Sequence, residues 1–192
     1  NFPHSTKQQF EFLKKRPNTD FHIELEGEIS FSNLIFRILK YHKRESNLFD
    51  VAVDGSVFID PNKNIVVKGQ KPSRIRFLDD IPSPYLRGIL DNFFDGRLSP
   101  LLETNRGCPF KCSFCHTGND YFQKIHMFSI ERIKQELEYI AVRSCKKKNT
   151  VLHLADPNFG MFPRDRDICN VLADTQKKYK WPNSKSPKSR IL

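Results

Sequence analysis

Hydrophobic and polar positions follow two alternating periods along this chain. Residues 21–24 read as a short strand, and beyond Gly27 the apolar residues Ile29, Phe31, Leu34, Ile35, Ile38 and Leu39 fit one face of a helix. Residues 56–59 and 64–68 are rich in β-formers and flank Pro61, Asn62 and Lys63, which predicts a hairpin. In the run 78–85, Pro82 and Pro84 remove backbone donors and hold their neighbours extended, so this stretch reads as a connection. A short helix is predicted over 85–95, stopped by Gly96.

The second half has a βα rhythm. Residues 101–105 predict a strand, and Ser129 is placed to cap a helix that carries Ile133, Leu137, Ile140 and Ala141. Residues 151–155 predict a buried strand, 156–160 a turn, and about 164–180 a helix with Ile168, Val171, Leu172 and Tyr179 on one side. Two successive βα units imply an α/β fold with parallel strands and right-handed crossovers, in which ligands gather at the carboxyl ends of the strands. The loops after residues 105 and 155 lie at those ends.

Composition narrows the class. A chain of 192 residues with 38% hydrophobic side chains suits one globular domain or pieces of two, and excludes disordered and collagen-like chains. No stretch approaches the roughly 18 apolar residues of a membrane helix, and residues 1–15 lack the pattern of a signal peptide, so a cytoplasmic location is expected and no membrane partner. The start at Asn1 and the end at Leu192 suggest a piece of a longer chain. The net charge of +10 is uneven, with +2 over residues 1–100 and +8 over 101–192. Without interleaved aromatic residues the basic end reads as a solvated face or tail, and a nucleic-acid partner is not expected.

The cysteines change the picture most. Cys108, Cys112 and Cys115 are spaced C-x3-C-x2-C, while Cys145 and Cys169 are isolated. An odd, clustered set in a chain without a secretion signal points to metal rather than disulfides. Three soft thiolates on one loop suit three irons of a four-iron, four-sulfur cluster, with the fourth iron open to a substrate or cofactor. The alternative is a zinc site completed by His116, Cys145 or Cys169, although the second ligand pair usual for zinc is missing.

The run 106–115, with Phe114 directly before the last cysteine, resembles the cluster loop of the radical S-adenosylmethionine (radical SAM) superfamily. The double-proline segment 78–86, the run 103–115 and the turn 156–159 together resemble the subgroup that carries an N-terminal cobalamin (B12)-binding domain. This resemblance implies a partial (β/α)6 barrel preceded by the rear part of a Rossmann-like cobalamin-binding domain. The corresponding divisions are residues 1–77 for that partial domain, 78–97 for a linker and short helix, and 98–192 for the first part of the barrel. It further implies that Cys108, Cys112 and Cys115 ligate the cluster, and that Phe114, Asp156 and Asn158 bind S-adenosylmethionine. In such enzymes an electron from the cluster cleaves that cofactor to methionine and a 5′-deoxyadenosyl radical, which abstracts hydrogen from the substrate.

Two departures bear on this. The second-strand loop lacks the superfamily's Gly-Gly-Glu and has Asp156 and Asn158 in its place. The cobalamin motif Asp-x-His-x-x-Gly has only a chance counterpart at Asp20 to Leu25, with Leu25 where glycine belongs, so His22 is expected to be structural. Cobalamin binding therefore stays an open question for the full-length protein. The resulting expectation is a fragment of a radical SAM enzyme, a transferase if its chemistry is cobalamin-dependent methyl transfer, served by an electron donor such as flavodoxin or ferredoxin. The alternatives are a tRNA methylthiotransferase-like enzyme, for which upstream cysteines are lacking, and a zinc-stabilised nucleic-acid-binding module.

Overall fold

The computed structural model describes residues 2–43, 48–147 and 151–182, and the basic end after Pro182 lies outside the described residues. The chain is an α/β protein that divides into two compact units, residues 1–74 and 75–192. Among the described residues no helix is long and apolar enough to cross a membrane.

The first unit contains α1 (Thr6–Lys14), β1 (His22–Ile23), α2 (Gly27–His42), β2 (Ser56–Asp60) and β3 (Ile65–Lys68). Helix α1 had no sequence expectation; Ser5 caps it by accepting the Gln8 amide, which satisfies one of the orphan donors of its first turn. The expected hairpin forms, with Val57 opposite Lys68 and Asp60 opposite Ile65. Its tight turn is tied by the Asp60 carboxylate, which accepts the amides of Asn62 at 2.8 Å and Lys63 at 3.1 Å. Strand β1 adds antiparallel to β2, with His22 opposite Val57. The sheet is thus antiparallel in the order β1-β2-β3, whereas a Rossmann-like portion carries parallel strands. Between β2 and β3 the short 61–64 connection leaves no room for a crossover. Phe58 is fully buried, with its ring 4.8 Å from Phe21 and 5.6 Å from Phe49. His22 stacks on Phe2 at 3.8 Å, and burial lowers its pKa, which fits a structural role. Helix α2 forms as expected, but of its apolar residues only Leu34 is buried, while Ile29, Phe31, Ile35, Phe36 and Leu39 are exposed.

The second unit contains β4 (Leu101–Leu102), β5 (Asn105–Arg106), β6 (His126–Met127), α3 (Ile130–Ser144), β7 (His153–Leu154) and α4 (Asp165–Tyr179). The expected parallel pairing is present: Leu101 lies opposite His153 and Leu102 opposite Leu154. The expected strand 101–105 is split, because after Leu102 the chain changes partner and β5 pairs antiparallel with β6. Ser129 caps α3 by accepting the Arg132 amide, as the sequence predicts. Leu78, Leu102, Phe128, Ile133, Leu137, Leu154 and Ile168 form the main core. Tyr85, Ile140, Ala141 and Trp181 form a second cluster.

The helix expected over 85–95 is instead a series of turns followed by a 3-10 turn, Asp91–Phe93. Gly88 has φ +70, outside the right-handed helical region, and interrupts the helical path. Side-chain bonds then hold the segment. The Tyr85 hydroxyl donates to the Leu101 carbonyl at 2.8 Å and accepts its amide at 3.1 Å, and Asp91 accepts the Tyr139 hydroxyl at 2.6 Å.

Leu137 is fully buried, so Leu137→Ala should lower stability by about 2–5 kcal/mol in urea unfolding. In the hairpin, the amides of Lys63 and Asn62 hold the Asp60 carboxyl below its ordinary value. A depressed folded value adds stability that is complete above the unfolded value near pH ~3.9 and is lost as pH falls through the folded value. Urea midpoints of the parent and Asp60→Ala should therefore differ at neutral pH and converge in acid.

Candidate metal centre

The site grows from the end of β4. Thr104, just before β5, and Asn105, its first residue, are buried polar side chains, and such groups require partners. Asp156, directly beyond the carboxyl end of β7, supplies them. Its Oδ1 accepts the Thr104 amide at 2.7 Å and the Asn105 amide at 3.2 Å. Its Oδ2 accepts the Thr104 hydroxyl and, at 3.1 Å, the Asn105 side-chain amide. Asp156 is 7% exposed, and four donors occupy its carboxylate.

A second clamp comes from the other end of the same loop. Arg164 donates to the Thr104 carbonyl at 3.2 Å and to the Phe128 carbonyl at 2.6 Å, while the Phe128 amide donates to the Thr104 carbonyl at 3.1 Å. The loop 156–164 thus grips the backbone immediately before the cysteines.

The cysteine loop departs through Gly107, whose φ of +112 favours glycine. A Cβ there would fall 2.6 Å from the Phe122 carbonyl oxygen and 2.7 Å from that of Lys124, so the two strands of the loop pass too closely for any side chain. The Cys108 amide closes the base by donating to the Phe122 carbonyl at 2.8 Å. Cys108 is buried, and the Asn158 side-chain amide donates to its Sγ at 2.8 Å. Cys112 and Cys115 lie in the exposed tip, where the Cys115 amide donates to the Cys112 carbonyl at 3.1 Å. Hydrogen bonds from the Thr117 hydroxyl, 3.1 Å away, and from the backbone amides of Thr117 and Gly118 lower the Cys115 pKa and favour its thiolate.

Among the described residues, no three His, Cys, Asp or Glu side chains converge closely enough to hold a metal ion. This applies equally to iron and to a zinc site with His116, Cys145 or Cys169. The donor chemistry nevertheless suits an iron–sulfur cluster: three thiols share one loop and one of them is buried beside an N–H donor. Residues 109–116, which carry Cys112 and Cys115, are exposed.

The other expected site residues are distributed unevenly. Asn158 sits against Cys108, Asp156 is occupied by the strand-end bonds, and the Phe114 ring is 90% exposed. The sequence reading missed Thr104, Asn105 and Arg164. A polar pair within a strand that otherwise reads as buried was the available signal; for Arg164, at a helix start, there was none. An apolar cavity of about 290 Å3 lined by Tyr85, Leu90, Phe94 and Leu101 lies at the amino end of β4.

Comparison with known proteins adds a family context. No family model matches the chain. It is 33% identical over 180 residues to the cobalamin-dependent radical SAM methyltransferase TokK of Streptomyces tokunonensis, covering 91% of this chain and 25% of that protein. It is 31% identical over 180 residues to a 2-(S-pantetheinyl)-carbapenam-3-carboxylate methyltransferase of Streptantibioticus cattleyicolor, with the same coverages. Among solved structures, the cobalamin-dependent S-adenosylmethionine radical enzyme OxsB with aqua-cobalamin and S-adenosylmethionine bound aligns at a TM-score of 0.59 and 22% identity, over 94% of this chain and 23% of that one. The radical S-adenosylmethionine methyltransferase TsrM from Kitasatospora setae aligns at 0.52 and 13% identity, over 93% of this chain and 33% of that one. These structural likenesses show the fold. The chain spans about a quarter of the length of the curated relatives it matches.

Asp156→Ala leaves the buried Thr104 and Asn105 donors without their acceptor, at a cost of about 1–3 kcal/mol for each unsatisfied group. A lowered urea midpoint and faster exchange of the Thr104 and Asn105 amides should both follow; hydrogen exchange read by mass spectrometry checks the second.

Proposed function

We propose, from a chain homologous to the cobalamin-dependent radical SAM methyltransferases, that it forms the cluster-bearing part of an enzyme of this kind. Residues 98–192 would be the opening of a (β/α)6 barrel, with residues 78–97 as the linker into it. Residues 1–77 would be the rear part of the domain that precedes the barrel, and their three strands form an antiparallel sheet. Cys108, Cys112 and Cys115 would hold a four-iron, four-sulfur cluster. When bound, that cluster supplies the electron that cleaves S-adenosylmethionine and starts radical chemistry on the substrate, with cobalamin-dependent methyl transfer as the outcome.

The observation that carries this reading is the C-x3-C-x2-C loop fixed at the carboxyl end of the first of two parallel strands, where ligands collect in such sheets. Each residue of the cofactor set keeps a task in this proposal. Phe114 offers an exposed ring to S-adenosylmethionine, Asn158 stands beside the cluster ligand Cys108, and Asp156 fixes the loop that presents both. The enzyme would work in the reducing cytoplasm, where thiols stay free for iron, and would draw single electrons from a donor of the flavodoxin or ferredoxin class.

Anaerobic reconstitution of the full-length protein should yield four irons and four sulfides per cluster site, the stoichiometry of a four-iron, four-sulfur centre. Cys108→Ala, Cys112→Ala and Cys115→Ala should each abolish uptake, while Cys145→Ala and Cys169→Ala should leave it intact. Zinc uptake without sulfide would overturn the assignment in favour of a zinc-stabilised module.

A further inference from the structure

We propose that Asn158 sets the reduction potential of the cluster by donating a hydrogen bond from its side-chain amide to the sulfur of Cys108. This inference rests on the reading of Cys108 as a cluster ligand. Its own observation is the 2.8 Å approach of Asn158 Nδ2 to Cys108 Sγ.

Three features make this approach more than a passing surface contact. Cys108 is the buried member of the three cysteines, so the hydrogen bond acts where water screens it least. Asn158 is held in place from both sides, by Asp156 on Thr104 and Asn105 and by Arg164 on Thr104 and Phe128. Those bonds lock the loop after β7 to the backbone that enters the cysteine loop, which fixes donor and sulfur relative to one another. Finally, an asparagine amide does not titrate, so its N–H remains a donor at every working pH.

The electrostatic consequence has a definite sign. Reduction adds one electron to the cluster, taken from a one-electron donor that is itself oxidised by one electron. No bond is broken and no proton moves. The added negative charge spreads onto the ligand sulfurs, so an N–H aimed at one of them stabilises the reduced form more than the oxidised form and raises the potential. Asn158 is thus a positioning and tuning residue acting through Cys108.

The test is a redox titration of the anaerobically reconstituted full-length protein, followed by electron paramagnetic resonance with dithionite as reductant. Asn158→Leu should retain its iron and sulfide and should show a lower midpoint. A tenfold fall in the ratio of reduced to oxidised cluster at fixed potential corresponds to about 59 mV for one electron. Asn158→Asp, which replaces the donor with a carboxylate, should lower the midpoint further. In the parent protein carrying nitrogen-15 asparagine, pulsed measurements should detect coupling between the reduced cluster and an asparagine nitrogen.

Unchanged midpoints in both variants would overturn the proposal, and unchanged midpoints with weakened S-adenosylmethionine binding would reassign Asn158 to that cofactor. If the leucine variant fails to hold iron, the labelled parent decides: absence of the nitrogen coupling overturns the proposal and its presence supports it. A parent that takes up no cluster overturns the function assigned above and this inference with it, a result distinct from a loaded parent whose potential ignores Asn158.

Discussion

The carboxylate of Asp156 is the constraint on which the metal loop depends. Parallel pairing between β4 and β7 is short, with Leu101 opposite His153 and Leu102 opposite Leu154, extended by the Ala155 amide on the Leu102 carbonyl at 2.9 Å. At the next step the ladder would require a backbone acceptor for Thr104. Asp156 provides its side chain instead and takes the amides of both Thr104 and Asn105. The two strands can therefore diverge without leaving buried donors unpaired, and β5 is released to pair with β6. That change of partner directs the chain into Gly107 and Cys108.

A consequence is that the fold and the candidate chemistry share residues. Thr104 is held by Asp156 through its amide and hydroxyl and by Arg164 and Phe128 through its carbonyl. The residues that close the main core, Leu102, Phe128 and Leu154, are neighbours of the same bonds in sequence. Buried charge-assisted hydrogen bonds are stronger than neutral ones and costly to leave half-made, so this network favours one arrangement of the loop base. The tip carrying Cys112 and Cys115 lacks such burial.

Much of this was legible in the sequence where periodicity and capping agree. The hairpin around Pro61 to Lys63, the Ser129 cap, helices α2, α3 and α4 and the parallel βα pair all follow from local pattern. The segment 85–95 did not, because tertiary bonds of Tyr85 to Leu101 and of Asp91 to Tyr139 override a helical pattern that Gly88 already weakens. For the site, spacing identified the three cysteines as candidates. It could not reveal that Asp156 faces Thr104 and Asn105 rather than open space, since that depends on partners about fifty positions away in sequence. Asn158 was singled out by its place in the turn, but its proximity to Cys108 is visible only in three dimensions.

The basic excess of the second half also takes on a different meaning at this level. Many of its cations have local structural tasks: Arg106 pairs with Glu103 at 2.9 Å, Arg132 with Glu136 at 2.6 Å, Arg143 with Asp91 at 3.0 Å and Lys178 with Glu138 at 2.7 Å. Arg164 is directed at backbone carbonyls. Both side chains of the Arg132 and Glu136 pair are largely buried, and Arg132 also donates to the Ile81 carbonyl at 3.0 Å, tying α3 to the segment before β4. In these instances the cations join neighbouring elements of the second unit, α3 to α4 and α3 to the segment 81–91.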